Sequence, residues 1–184
     1  MTLSVDETWQ TLVRASVDRR HPWRVVGFCT ASEQGPAARS VILRKVLPAQ
    51  RQLVFFTDSR SEKMQHIARC EQVALLFWNP QHNLQLRATG LAAAEQDPAR
   101  IESYWQSIPD HARRDYGSTD APGVVLADPG QGGYDLAVAR RHFVVLNVVV
   151  DLIDSLKLAR DEHMRQRFEW SASTQVWQQA RLVP

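Results

Sequence analysis

Between residues 24 and 88 the chain runs as short apolar or alternating segments, each bounded by turn-forming residues, and few architectures accept that spacing. Residues 24–31 (Arg-Val-Val-Gly-Phe-Cys-Thr-Ala) predict a strand that turns at Glu33-Gln34-Gly35-Pro36 into a second one. In that second strand Ala38, Ser40, Ile42 and Arg44 fall on one face, and Arg39, Val41, Leu43 and Lys45 on the other. Leu47-Pro48-Ala49-Gln50 supplies the next turn, and the apolar run 53–56 predicts a buried strand. Residues 73–78 and 84–88 predict two more, joined by Asn79-Pro80-Gln81-His82-Asn83. Consecutive strands on tight turns make an antiparallel sheet that closes into a barrel, giving a mainly β fold with flanking helices. The sequence has no Gly-x-Gly-x-x-Gly, so the usual dinucleotide fingerprint is missing.

The stretch 39–63 carries the chemistry. Thr57, Asp58, Ser59 and Ser61 gather hydroxyls and capping groups ahead of a helix, with Met64, Ile67 and Ala68 expected on its inner side. A phosphate dianion needs cations, hydroxyls and free N–H groups held in place. Arg39 on one strand, with Ser61 and Lys63 at the helix start, converge on such a site if the two strands pair. The alternative is that these basic residues are simply solvated beside their strands.

Elsewhere the reading is of packing. Residues 4–19 predict an amphipathic helix with a Ser4/Glu7 capping box and a stripe of Val5, Trp9, Leu12, Val13 and Ser16. Asp97-Pro98 starts another helix, which carries Ile101, Tyr104 and Trp105. The stretch 117–135 is rich in Gly, Pro, Asp and Ser and predicts a loop too long to be only a connector, either a lid or subunit-crossing segment or a mobile stretch without function. Arg140-Arg141-His142 leads into a β-branched strand, 143–151, followed by a separate strand, 152–158. Segments 163–170 and 175–182 close the chain as a hairpin. The expected organisation is a single domain, 1–184, in which 1–20 forms the N-terminal helix.

A formal charge of +2 gives no field for nucleic acid or an anionic membrane. The six histidines show no ligand spacing with Cys or acids, so no metal is expected. Cys29 and Cys70 are isolated and read as reduced thiols. Asp6, Glu7, Arg14 and Asp18 argue against a signal peptide, and the expected location is cytoplasmic.

The order and spacing of these elements resemble the pyridoxamine 5′-phosphate oxidase family. The matching residues are Arg39, Val41, Leu43 and Arg44; Phe56, Thr57, Asp58, Ser61 and Lys63; the apolar strand 74–78 ending in Phe-Trp; and Gln85 with Gly90. Near the end, Arg165-Gln-Arg167-Phe168, Trp177 and Arg181-Leu-Val-Pro184 look like the family's closing motifs. The resemblance implies a split β-barrel that binds FMN noncovalently as a homodimer, with the flavin at the subunit interface. Its cofactor contacts would be Arg39, Ser40, Val41, Ile42, Leu43, Arg44, Phe56, Thr57, Ser61, Lys63, Gln85 and Arg167. Arg39, Ser61 and Lys63 would take the phosphate, and Gln85 would meet the ring's polar atoms. For the substrate it implies Arg44, Tyr104, His163 and Arg165.

The chain also departs from the pattern. Arg44 stands where the family's oxidases use lysine, an exchange that alters donor geometry. His163-Met164-Arg165 reverses the family's Arg-x-His, a family tryptophan is missing near Leu156 and Lys157, and Glu62 replaces a usual arginine. The expected function is hydride transfer from an unassigned small molecule to FMN, with reoxidation by oxygen or another acceptor. A non-catalytic FMN-storage or sensing protein is the alternative.

Overall fold

The computed structural model describes residues 3–126 and 132–184. Among the described residues, eight strands form one sheet: β1 (Val25–Ser32), β2 (Gly35–Leu47), β3 (Gln52–Asp58), β4 (Gln72–Asn79), β5 (Leu84–Ala94), β6 (Phe143–Lys157), β7 (Met164–Ser171) and β8 (Val176–Leu182). The order is β3-β2-β1-β4-β5-β6-β7-β8, and a further β3–β6 pairing closes the first six strands into a barrel. All described pairings between strands are antiparallel.

The barrel is split by β6. One of its edges pairs with β5 over Leu146 to Lys157. The other pairs with β3 over Phe143 to Val149 and then with β7 from Leu152 onward. In the gap, the Val150 amide donates to the Arg51 carbonyl at 2.9 Å, and Arg51 Nη1 returns a bond to the Val150 carbonyl at 2.8 Å. The two strands expected at 143–151 and 152–158 are therefore one 15-residue strand that changes partner without breaking. Asp151, the last residue of the first expected strand, sits exposed in the middle of the continuous one.

Among the described residues, five α-helices flank the sheet: α1 (Val5–Val17), α2 (Glu62–Arg69), α3 (Pro98–Gln106), α4 (Asp110–Arg113) and α5 (Leu136–His142). The capping box forms as expected: Ser4 Oγ accepts from the Glu7 amide, and the Glu7 carboxylate accepts from the Ser4 amide. The buried stripe of α1 is Thr8, Trp9, Leu12, Ala15 and Ser16. Val13, expected in that stripe, is 37% exposed because the buried arc centres on Leu12 and Val13 lies about 100° round the helix from it. In α2 the inner residues are His66 and Ile67, while Ala68 faces solvent and Met64 is only half-buried. His66 is admitted because Thr30 Oγ1 meets its Nδ1 at 2.9 Å, so the ring goes inside with a polar partner.

The main core fills the barrel with Phe28, Leu43, Phe55, Phe77, Leu86, Ile153 and their neighbours. A second cluster, built on Val54, Trp105, Tyr116, Phe143 and Val145, lies where α3 and α5 cover the outer face of β3. Part of the expected loop is ordered: Ser118 bridges to Tyr134, and Arg140 to His142 form the last turn of α5, where strand lead-in was expected. Residues 127–131 of that loop lie outside the described residues.

Candidate functional site

Alternation along β2 turns Arg39 toward the barrel interior beside Val41 and Leu43, where the barrel meets α2. Its Nη1 donates to Thr30 Oγ1 at 2.7 Å and to the Ala37 carbonyl at 2.9 Å. From α2, Lys63 Nζ donates to Thr57 Oγ1 at 2.8 Å. Thr57 Oγ1 lies 3.3 Å from Ser61 Oγ, which itself donates to the Asp58 carbonyl at 2.7 Å. A hydroxyl carries one proton, so the direction is set: Lys63 to Thr57, Thr57 to Ser61, Ser61 to the backbone.

Ser61 is thus the N-cap residue of α2 without capping it, and among the described residues no side chain takes the first-turn amides. Asp58, the nearby carboxylate, is taken by Arg60, whose Nη2 meets Oδ2 at 2.7 Å and whose amide and Nε both reach Oδ1. Burial pushes the Asp58 carboxyl up, but the bonds from Arg60 outweigh it and its pKa ends lowered. Arg60 also holds the Ser118 and Thr119 carbonyls at 2.8 and 2.9 Å, tying this loop to the segment after Tyr116.

Among the described residues, neither Arg39 nor Lys63 forms an ion pair. Burial lowers the pKa of Lys63, the Arg39 guanidinium lowers it further, and Asp58 opposes both. Two cations that repel each other, two hydroxyls and an uncapped helix start are a donor set suited to a phosphate dianion. The residues present therefore fit the FMN phosphate that the sequence led us to expect.

The opposite face of β2 carries Ser40, Ile42 and Arg44. Here the expected alternation fails at Lys45. The β2–β3 register slips between Leu43 and Lys45, a bulge that inserts Arg44 as an extra residue. Arg44 and Lys45 consequently both border one cleft with Ile42, Phe56 and Tyr104, although strict alternation assigns them to opposite faces. Phe56 and Thr57, adjacent in β3, point to opposite sides: Phe56 packs on Tyr104 with ring centroids 5.5 Å apart, while Thr57 serves Lys63. Arg44 Nη2 donates to the Tyr116 hydroxyl at 3.2 Å, and its guanidinium lies 5.6 Å from the Phe56 ring centre.

Gln85 and Arg167 are elsewhere. Gln85 on β5 sits opposite Trp78 and Leu156, with β1 and β4 between it and β2. At ~4.8 Å per strand, that is roughly 14 Å around the sheet. Arg167 on β7 pairs across to Asp154 and makes an ion pair with Glu169 at 2.9 Å. Arg165 is committed to Asp154, which also takes Arg87, each at 2.9 Å. His163 lies in the turn before β7, its Nδ1 accepting from the Ala159 amide. The expected residues thus form two groups, one on β2, β3, α2 and α3 and one on β5, β7 and the turn before β7, and a single chain does not bring them together.

Sequence reasoning missed Thr30 and His66, the Arg60 clamp and the buried Asp154. Asp58-x-Arg60 is a local signal for the clamp. An acid inside the apolar run Leu152-Ile153-Asp154 signals a paired buried charge.

Barrel topology and an unneutralised cation pair at its α2 end define a flavin-nucleotide-binding split barrel. The family model for the pyridoxamine 5′-phosphate oxidase FMN-binding domain matches residues 6–95. A pyridoxine/pyridoxamine 5′-phosphate oxidase from Thermosynechococcus vestitus is 30% identical over 164 residues, covering 81% of this chain and 73% of the relative. A protein of the same name from Granulibacter bethesdensis is 41% identical over 93 residues, and the match spans 47% of this chain and 42% of that relative. A solved structure described as a pyridoxamine 5′-phosphate oxidase-related, FMN binding protein from Nostoc punctiforme superposes over the full length of both chains, with a TM-score of 0.77 at 23% identity. The chain belongs to the pyridoxamine 5′-phosphate oxidase family, and FMN is its cofactor. Among the described residues, no helix is long and apolar enough to cross a membrane. Both cysteines are free.

Proposed function

We propose that the protein is an FMN-dependent oxidoreductase acting on a small molecule, working as a homodimer with flavin at the subunit interface. The observation that carries this reading is the juxtaposition of Arg39 with Lys63 at the barrel end, two cations that form no ion pair among the described residues. In this reading Arg39, Ser61 and Lys63 hold the FMN phosphate, and β2 from Ser40 to Arg44 lies along the ring with Phe56 and Thr57 alongside. Arg60 keeps Asp58 neutralised, so Lys63 stays available to an anion. The chemistry supplied by bound FMN is the acceptance of a hydride equivalent from substrate, its electrons passing on to oxygen or another acceptor.

The second copy is supported by two observations. Gln85 and Arg167, matched to flavin contacts, lie away from the phosphate group of their own chain, so a partner must supply them. The outer sheet face also leaves Leu76, Trp78, Leu91 and Val149 between 38% and 48% exposed, an apolar surface suited to a second barrel. Purified protein should be yellow and sediment as a dimer, and the released ligand should have the mass of FMN. A colourless monomer that ignores added FMN sinks the reading.

One observation favours a non-catalytic FMN carrier instead. Arg165 and His163, matched to substrate contacts, are engaged within the chain by Asp154 and by the Ala159 amide. Peroxide release with pyridoxamine 5′-phosphate separates the two readings, and its absence with a wide panel of substrates favours the carrier.

A further inference from the structure

The bulge in β2 has a second effect. Arg44 and Lys45 come to share one cleft of about 780 Å³ with Arg19 and Arg24, from the segment that follows α1. Asp115 is the one carboxylate among the described residues lining that cleft, and none of the four cations is ion-paired. Three of the four are anchored. The Lys45 ammonium lies 5.4 Å from the centre of the Tyr104 ring, Arg44 is held by Phe56 and the Tyr116 hydroxyl, and Arg24 donates to the Ser16 carbonyl at the end of α1. Anchored like charges repel across a cleft that water leaves only partly screened. Arg24 registers this: burial lowers its pKa, and Arg44 and Arg19 lower it further against the pull of Asp18.

A phosphate at Arg39 and Lys63 lies on the other face of β2 and leaves these four charges unmatched. One anionic group at Arg44 and Lys45 would still leave Arg19 and Arg24 facing the cleft. The wall between them is apolar and aromatic, built from Ile42, Phe56 and Tyr104.

We propose that this cleft selects a small aromatic substrate with two separate anionic groups, one taken by Arg44 and Lys45 and the other by Arg19 and Arg24. The inference rests on the oxidoreductase reading above and narrows its substrate class. Arg19 and Arg24 are specificity-determining residues that contact the substrate's second charge and leave FMN untouched.

The test titrates the protein as purified with benzene-1,3-dicarboxylate and with benzoate at low salt, read by calorimetry. The dicarboxylate binds about tenfold more tightly or better, the scale of one added charge-assisted hydrogen bond. Arg24→Gln and Arg19→Gln each remove most of that advantage. Arg19 is exposed and its replacement disturbs no packing, so it keeps the test decisive if Arg24→Gln shifts α1. Equal affinity for the two probes, or a preference that survives both substitutions, overturns the proposal. Flavin content is measured separately by absorbance, and the calorimetry is run whether or not flavin is held. A protein without FMN therefore counts against the oxidoreductase reading, and an absent dicarboxylate preference counts against this one.

Discussion

Lys63 reaches from the first turn of α2 to donate to Thr57 on β3 at 2.8 Å, which fixes an ammonium beside the Arg39 guanidinium. In the reading proposed above, removing either cation deletes a charge-assisted bond to the FMN phosphate without opening the core. Lys63→Ala and Arg39→Ala should each weaken FMN binding by about 1.5–3 kcal/mol. Fluorescence titration of the flavin-free protein measures it. Unchanged affinity in both variants places the phosphate elsewhere.

The same pair sets a pH dependence. Lys63 has its pKa lowered below the ordinary 10.5, by burial first and by Arg39 second. In the flavin-free protein the charged ammonium is disfavoured, so its cost to stability is present below the folded pKa and is relieved as pH rises through it. Binding a phosphate needs the charged form. FMN affinity should therefore fall as pH rises, and the fall should begin below 10.5. Lys63→Arg keeps a cation across this range and should flatten the alkaline limb. An identical limb in that variant would assign the titration to another group.

Arg51 offers a test of how the barrel is split. Its left-handed backbone, φ 52°, turns the chain into β3, and its guanidinium stacks 4.3 Å from the Trp170 ring centre while donating to the Val150 carbonyl. Arg51→Ala loses the hydrogen bond and the stacking at the point where β6 changes partner. The expected loss is about 1–2 kcal/mol in urea unfolding, with no change in FMN affinity because the phosphate group is remote. A large loss of flavin from this variant would instead link the split to the cofactor site.

How far these features were legible in the sequence depends on whether their cause was local. The capping box of α1 follows from neighbours in the chain and formed as read, and the hairpin turn expected at Glu33-Gln34-Gly35-Pro36 formed but is tighter, with Gly35 and Pro36 already paired in β2. The bulge at Arg44 was not legible in this way, because register is settled by the facing strand: seen alone, Arg44 and Lys45 must alternate. The same holds for β6. Its first half is rich in valine, and only the arrangement of β3 and β7 along one edge shows why it runs unbroken through Asp151. Of the candidate site, the Arg39–Thr57–Ser61–Lys63 group was readable because three of its members lie within seven residues. The distance of Gln85 and Arg167 from it is a property of sheet order, which the sequence spacing concealed.

Asp154 is 2% exposed and accepts from Arg87 and Arg165, each at 2.9 Å. Burial pushes its carboxyl up, but the two guanidiniums outweigh it and its pKa falls below 3.8. A depressed carboxylate contributes stability that is present above the unfolded pKa and is lost as pH falls through the folded one. Asp154→Asn should cost about 1.5–3 kcal/mol at neutral pH, with the lower end favoured because Arg87 is half-exposed and screened. Urea unfolding across pH measures it, and the gap to wild type should close in acid, below 3.8. A gap that persists there would mean the loss comes from packing, not charge.

Gly90 completes the Gln85-to-Gly90 motif, and the barrel gives it a reason. The β5–β6 register shifts between Thr89 and Gly90, bringing the two backbones into close approach. A Cβ at residue 90 would stand 2.1 Å from the Val149 carbonyl oxygen and 2.9 Å from the Val150 Cα. Both are backbone atoms, so no side-chain rotation relieves the clash, and one strand must move. Gly90→Ala should destabilise by about 3 kcal/mol, the upper range for overpacking. The damage should also spread, since Val150 bonds Arg51 at the split and a displaced β6 loosens β3. Hydrogen exchange at the Arg51–Val150 pair tests that coupling. Destabilisation confined to β5, with normal protection at Val150, would show that the sheet absorbs the displacement locally.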